Sequence, residues 1–367
     1  MLDSLIVQNY RNLKEVRIHS LGQINLITGK NNTGKTTLLE AIAIYASKAD
    51  ISILEELLIR RGENLIESPK SYGSNYQKIF SSLFTNTITE FNAETNISIG
   101  TIENGELSIP NAVSIKFVRF SDKLEDSPNG GWKLHRNIIE NNNFQKFDTI
   151  KSGLETRAGN HSFVIPFDGT MLYTGFTGMT KNVQFIRSWY QNKEENSKQW
   201  DNIIFTEKET VVIDALKIIE PNTERLAFIE NGSGQRNAVI KLSNSTNVLP
   251  IQSMGDGMNR ILSIILALVN SENGFLLIDE FENGLHHTVQ KNLWNLIFQT
   301  ATKLNVQVFA TTHSDECIRS YENILNHPES QFSGNLIRLE NKNGMIHSVE
   351  FSKEELTIVT ENQMEVR

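Results

Sequence analysis

The sequence predicts an α/β fold built on a parallel sheet, and three observations predict it. The segment Gly29-Lys30-Asn31-Asn32-Thr33-Gly34-Lys35-Thr36 falls between a strand-like run and a helix-like run. Beyond residue 250 the pattern alternates helix, strand, helix, strand, and the strands are continuously apolar, as strands buried on both faces are. Between these parts, many Asn and Gly residues separate short strand-like runs, the pattern of an antiparallel β subdomain.

Taken in order, residues 4–7, 16–19 and 24–28 read as strands, the last ending in the glycine-rich turn. From Thr36, the apolar positions Leu39, Ile42 and Ala46 recur at helical spacing to about residue 48. The middle of the chain reads as helical over 53–59 and 209–219 and as strand over 97–102, 114–120 and 238–242. Residues 256–270 form a largely apolar helix, and Phe275-Leu276-Leu277-Ile278 is a strand buried on both faces. Val289, Leu293, Leu296, Ile297, Ala301 and Leu304 make a helical stripe, residues 306–310 another buried strand. A hairpin of residues 336–339 and 346–351 turns at Asn343-Gly344. No heptad repeat appears, which excludes long coiled-coil arms.

Composition bounds the function. The 367 residues are 39% hydrophobic and 21% charged, a folded globular mix. With 35 Lys and Arg against 43 Asp and Glu the net charge is -8, so the chain is not built as a polycation that coats nucleic acid. Arg60-Arg61 is the nearest thing to a basic cluster. One cysteine, Cys317, suits a reducing compartment, and no run is apolar for the ~20 residues a membrane span needs. The opening residues carry no secretory pattern, so the expected location is cytoplasmic.

The glycine-rich segment matches GxxxxGK(S/T), a phosphate cradle. Its glycines let backbone N–H groups turn inward toward phosphate oxygens, and the following helix adds its positive N-terminal end. Lys35 is placed to reach the β and γ phosphates and the Thr36 hydroxyl to ligate Mg²⁺, with Thr37 next in the same helix start. Asp279 and Glu280 follow the buried strand, where one acid can hold the metal and the other can polarise the attacking water. His313, in Thr311-Thr312-His313-Ser314, ends the next strand on the ligand edge of the sheet. His286 and His287 are adjacent at a helix start and should point apart, which argues against a metal site built from both. Ser253-Met254-Gly255-Asp256-Gly257 stands just before a helix, an anion-binding end as well as an ordinary cap.

In this order the motifs resemble ABC-type AAA ATPases of the branch containing RecF, SMC and OLD-family proteins, closest to the ATPase part of OLD proteins of bacterial antiphage defence. Ile6-Val7-Gln8-Asn9-Tyr10-Arg11-Asn12 and Ile24-Asn25-Leu26-Ile27-Thr28-Gly29 add to the likeness, which covers about residues 1–48 and 250–351. The resemblance implies an ABC-ATPase head: a P-loop parallel core sheet, an antiparallel β subdomain and a mixed helical and β insert in place of coiled-coil arms. Residues 1–351 would be one discontinuous head, with a nucleotide-binding lobe at 1–50 and 250–351, an insert at about 51–249, and a C-terminal tail at 352–367.

It further implies ATP and Mg²⁺ as ligands and assigns roles. Residues 29–36 become the Walker A loop, Arg11 an arginine that approaches the nucleotide, Asp279 and Glu280 the Walker B acid and catalytic base. His313 becomes the switch histidine, and the residues around Asn283 to His286 the D-loop. Ser253, Gly255, Asp256 and Gly257 match the signature motif, which in this family contacts ATP held by a second subunit, so a homodimer or higher oligomer is expected. No glutamine can be assigned to the Q-loop. Too few residues follow His313 for the acidic nuclease domain of full-length OLD proteins, so no nuclease activity is expected of this chain alone.

The preferred reading is therefore an ATPase that acts as sensor or scaffold for a separately encoded effector, a nuclease or toxin, in antiphage defence. The alternative is a RecF- or SMC-like repair clamp that closes on duplex DNA, and DNA stays open as a partner. A transporter subunit fits least, since the signature SMGDG departs from the transporter form.

Overall fold

The computed structural model describes residues 1–63, 72–85, 95–126, 132–139, 149–168, 182–188, 193–230, 232 and 234–361. From the N-terminus, β1 (Leu5–Tyr10) and β2 (Leu13–Ile18) form a hairpin, β3 (Ile24–Thr28) enters the glycine loop, and α1 (Lys35–Ala46), α2 (Ile51–Arg60) and α3 (Tyr72–Ser81) follow. Next come β4 (Asn96–Gly100), β5 (Ile102–Glu103), β6 (Glu106–Leu107), β7 (Val113–Asp126), β8 (Trp132–Ile138), β9 (Lys151–Ala158), β10 (His161–Pro166) and β11 (Val183–Ile186). After these stand α4 (Lys193–Asp201), α5 (Glu207–Leu216), β12 (Thr223–Glu230), β13 (Arg236–Leu242) and β14 (Val248–Pro250). The C-terminal part holds α6 (Asp256–Val269), β15 (Phe275–Ile278), α7 (His287–Leu304), β16 (Gln307–Thr311), α8 (Asp315–Leu325), β17 (Gly334–Lys342), β18 (Met345–Phe351) and α9 (Lys353–Glu361).

Two sheets organise these elements. The core sheet runs β11-β15-β16-β3-β17-β18, parallel up to β17, with β18 antiparallel at the edge. Because β15, β16 and β3 are buried at every position, their side chains alternate between two cores. Leu26, Leu276, Ile278, Val308 and Ala310 join the helices α6, α7 and α8 on one face. Ile27, Leu277 and Phe309 face α1 and the second sheet on the other. That second sheet is antiparallel, ordered β10-β9-β7-β4-β1-β2 with β8 also on β7.

Helix α1 lies between the sheets, with Leu38, Leu39, Ile42 and Ile44 fully enclosed. Gly34 caps it without a side-chain hydrogen bond, so packing holds it: each buried Leu or Ile contributes ~1.5–3 kcal/mol. The result is that β3, β15 and β16 all end beside the start of α1, which is where an open parallel sheet collects a ligand.

Several expectations change. Residues 51–249 do not stand apart as an insert: β4, β7, β9 and β10 extend the sheet begun by β1 and β2, and β11 pairs in parallel with β15 inside the core sheet. The four residues of β11 are too few for a period to show. Helices α4 and α5 pack against α6 through Trp200, Val212 and Leu216. The residues assigned to a C-terminal tail include α9, whose Leu356 is buried in the same core. The His286 and His287 rings, expected to diverge, lie 4.2 Å apart at 39°, yet His286 Nδ1 is engaged 2.9 Å from Thr288 Oγ1. Among the described residues no helix is long and apolar enough to cross a membrane.

Candidate nucleotide-binding site

The loop after β3 is shaped by two glycines. Gly29 has φ 138° and Gly34 has φ 87°, and a Cβ on Gly29 would stand 2.4 Å from the Leu339 carbonyl, so only glycine fits. Thr33 Oγ1 donates to the Lys30 carbonyl at 2.8 Å, closing the loop on itself. Inside it, Lys35 Nζ donates to the carbonyls of Gly29 and Lys30 at 2.8 and 3.0 Å. Burial pushes the Lys35 ammonium below its ordinary range, while Asp279, Glu280 and Glu282 pull it back up.

This loop opens onto a cleft of about 1020 Å³. Arg11, Asn31, Asn32, Gly34, Lys35, Thr36, Thr37, Asp279, Glu280 and His313 all line it, so residues spread over 300 positions of sequence meet at one sheet edge. Gly29, Lys30 and Thr33 are not among the residues that line the cleft.

A short hydroxyl and carboxylate network sets the acids. Thr36 Oγ1 lies 3.1 Å from both Asp279 oxygens. Thr311 Oγ1, at the end of β16, donates to Asp279 Oδ1 at 2.7 Å and accepts the Glu280 amide at 2.8 Å. Glu280 has φ 49°, a left-handed backbone that costs a non-glycine residue ~1–3 kcal/mol. Its carbonyl accepts from Arg260 Nη2 at 2.9 Å, so it is held on both sides. One serine or threonine hydroxyl and one carboxylate facing each other fit Mg²⁺, which takes few protein ligands and completes its shell with water and phosphate.

His313 is half-buried at the cleft, its amide donating to Glu282 Oε1 at 2.7 Å, while Thr312 Oγ1 donates to Glu282 Oε2 at 2.7 Å. Ser314 caps α8 by accepting from the Cys317 amide.

Arg11 does not stand free. Its Nη1 lies 2.9 Å from Glu63 Oε1 and its Nε 3.4 Å from Glu40 Oε2, so its guanidinium is committed to carboxylates at the cleft wall. Burial pulls the Arg11 pKa down, but the hydrogen bond to Glu63 and the negative charge of Glu40 outweigh it and raise it. Arg61 joins the same cluster, 2.9 Å from Glu40.

Ser253, Gly255, Asp256 and Gly257 do not line the cleft. Ser253 is exposed in a helical turn ahead of α6, its Oγ donating to the Pro250 carbonyl at 2.7 Å. Asn283 and Gly284 are close by: a Cβ on Gly257 would meet the Gly284 carbonyl at 3.1 Å.

Sequence reasoning missed Thr311, Glu282, Arg260 and Arg187. The paired hydroxyls of Thr311-Thr312 before His313 were a visible signal for the first two. Arg260 and Arg187 carry none, since an arginine in an apolar helix and one after a four-residue strand look like ordinary surface charges. No glutamine lines the cleft among the described residues. Arg187 stands where β11 ends.

Comparison with known proteins adds a second line. A family model described as "AAA ATPase domain" matches residues 1–166, and one described as "AAA domain, putative AbiEii toxin, Type IV TA system" matches residues 180–319. Both models describe AAA domains and between them match most of the chain, which is thus an AAA-type ATPase. An "ATP/GTP phosphatase" of Helicobacter pylori is 25% identical to this ATPase over 353 residues, covering 89% of this chain and 88% of that one. A "DNA replication and repair protein RecF" of Lactobacillus acidophilus is 51% identical over 45 residues, 12% of each chain. Among solved structures, an SMC head bound to the winged-helix domain of ScpA matches with a TM-score of 0.50 at 15% identity, covering 97% of this chain and 99% of that one, a likeness of fold.

Proposed function

We propose that this ATPase hydrolyses Mg-ATP in the cleft at the end of β3, closes as a dimer on bound nucleotide, and in that form holds or releases a separately encoded effector, a nuclease or toxin, in antiphage defence. The observation that carries the chemistry is the Thr36, Asp279, Thr311 and Glu280 network at the mouth of the P-loop. Lys35 would trade its loop carbonyls for the β and γ phosphates. Thr36 and Asp279 would hold Mg²⁺, which neutralises phosphate charge when bound. Glu280, turned into the cleft by its held backbone, would take the proton of the attacking water, and His313 would contact the γ-phosphate.

The exposed Ser253, away from its own P-loop, supports the reading that the signature residues Ser253, Gly255, Asp256 and Gly257 act on ATP held by a partner. The effector reading draws on the toxin named in the second family description. A DNA clamp is favoured by the RecF match alone.

Tagged Glu280→Gln, incubated with Mg-ATP in its native host and recovered, tests the role. A stoichiometric small nuclease or toxin supports the effector reading; duplex DNA with repair factors and no effector replaces it with the clamp.

A further inference from the structure

One charged group at the carboxyl edge of the core sheet belongs to none of the motifs. β11 pairs with β15 with Ile186 opposite Ile278, and the Asp279 amide donates to the Ile186 carbonyl at 2.7 Å. Arg187 therefore leaves its strand level with Asp279. It is 6% exposed, its guanidinium lies 4.1 Å from the centroid of the Phe185 ring, and its carbonyl accepts from Arg260 at 2.7 Å. Its Nε is buried without a hydrogen-bond partner among the described residues, yet the side chain lines the nucleotide cleft. An unpartnered, buried donor on a permanent cation is expensive unless something anionic completes it. Burial and the neighbouring Arg60 charge lower its proton affinity, while Glu40, Glu56 and Asp279 oppose them.

We propose that Arg187 contacts the terminal phosphate of the nucleotide bound in this cleft and compensates the charge that develops on it during transfer. The inference rests on the ATPase reading above. The sheet order assigns the γ position: β16 and β15 lie between β3 and β11, so the P-loop grips from one side and Arg187 approaches from the other, beside the metal-site acid and the base. Arginine has no lone pair to give a metal, so Arg187 acts there by charge and hydrogen bonding. In the step, the water oxygen bonds to the γ-phosphorus and the bridging P–O bond breaks with its electron pair going to ADP. The water proton goes to Glu280; Arg187 stays protonated and transfers nothing.

The test compares full-length wild type, Arg187→Gln and Arg187→Lys for ADP affinity, ATP affinity and turnover. Arg187→Gln should bind ADP within twofold of wild type, lose about 10-fold in ATP affinity and about 100-fold in turnover; retained ADP binding also shows that it is folded. Should Arg187→Gln lose ADP binding as well, Arg187→Lys decides: an ATP-to-ADP preference below wild type with turnover down about 10-fold supports the contact. A wild-type ATP-to-ADP preference and turnover in the folded variant overturns it while leaving the P-loop reading intact. A wild-type chain that binds neither nucleotide removes both.

Discussion

Arg260→Met should separate stability from activity. Arg260 is 4% exposed on α6 and gives three hydrogen bonds to main-chain carbonyls: Arg187 at 2.7 Å, Asp279 at 2.8 Å and Glu280 at 2.9 Å. Burial lowers its pKa to about 10, so the charge is held at a cost, and its Nε has no partner among the described residues. Methionine fills much of the space without the charge. Three carbonyls left bare cost ~1 kcal/mol each, and relief of the buried guanidinium returns ~1–2 kcal/mol, for a net loss of about 1–2 kcal/mol. The effect on turnover should be larger. Without the bond to its carbonyl, Glu280 can relax from its left-handed backbone, and a 1 Å displacement of a reacting group costs ~10²-fold. Urea denaturation and steady-state ATP hydrolysis at saturating substrate measure the two quantities. A variant that loses stability but keeps its turnover would refute the claim that Arg260 positions Glu280.

Lys35→Ala should abolish ATP binding in calorimetry, since no other ammonium reaches the loop carbonyls of Gly29 and Lys30 among the described residues; unchanged affinity discredits the P-loop assignment. Thr311→Val keeps its shape but removes the bond to Asp279 and the acceptor for the Glu280 amide, and turnover should fall ~10-fold or more with ADP binding intact. Mixing Ser253→Arg with Lys35→Ala subunits should restore part of the activity through one intact composite site; no recovery would count against the trans geometry. Cys317 is fully buried and its thiol is pushed up to about 12 by burial, so iodoacetamide at pH 8 should leave it unlabelled by mass spectrometry until the protein is denatured.

The parallel core was legible because its strands are buried on both faces: Phe275–Ile278 needs no partner to be read as a strand when every position is apolar. The residues proposed for the phosphate loop and the metal-site acids stand out in the sequence because phosphate chemistry demands fixed types at fixed spacing. What escaped is what tertiary contact decides. β11 reads Val-Gln-Phe-Ile, a strand-favouring composition in a run too short to show a period, and its place in the sheet is set by the edge that β15 offers it. α9 begins with Lys353-Glu354-Glu355 and looks like a solvated tail, but Leu356 finds a place in the core. Arg11 fits the family pattern by position, while its partners Glu40 and Glu63 lie 29 and 52 residues away, beyond any local pattern.

The sequence Asp279-Glu280-Phe281-Glu282 offers two acids after the aspartate proposed to hold the metal, and structure divides their work. Both oxygens of Glu282 are spent, on the Thr312 hydroxyl and the His313 amide. It is thus a brace that ties the end of β16 to the turn after β15 and fixes where His313 begins. Glu280 has its amide and carbonyl held instead, by Thr311 and Arg260, while its side chain lines the cleft. A base needs the reverse of a brace: a backbone that cannot move and a carboxylate with lone pairs left to accept a proton. Phe281 completes the separation, stacked at 4.0 Å on Trp294 in the helical core, so that the acids on its two sides are pinned to different tasks.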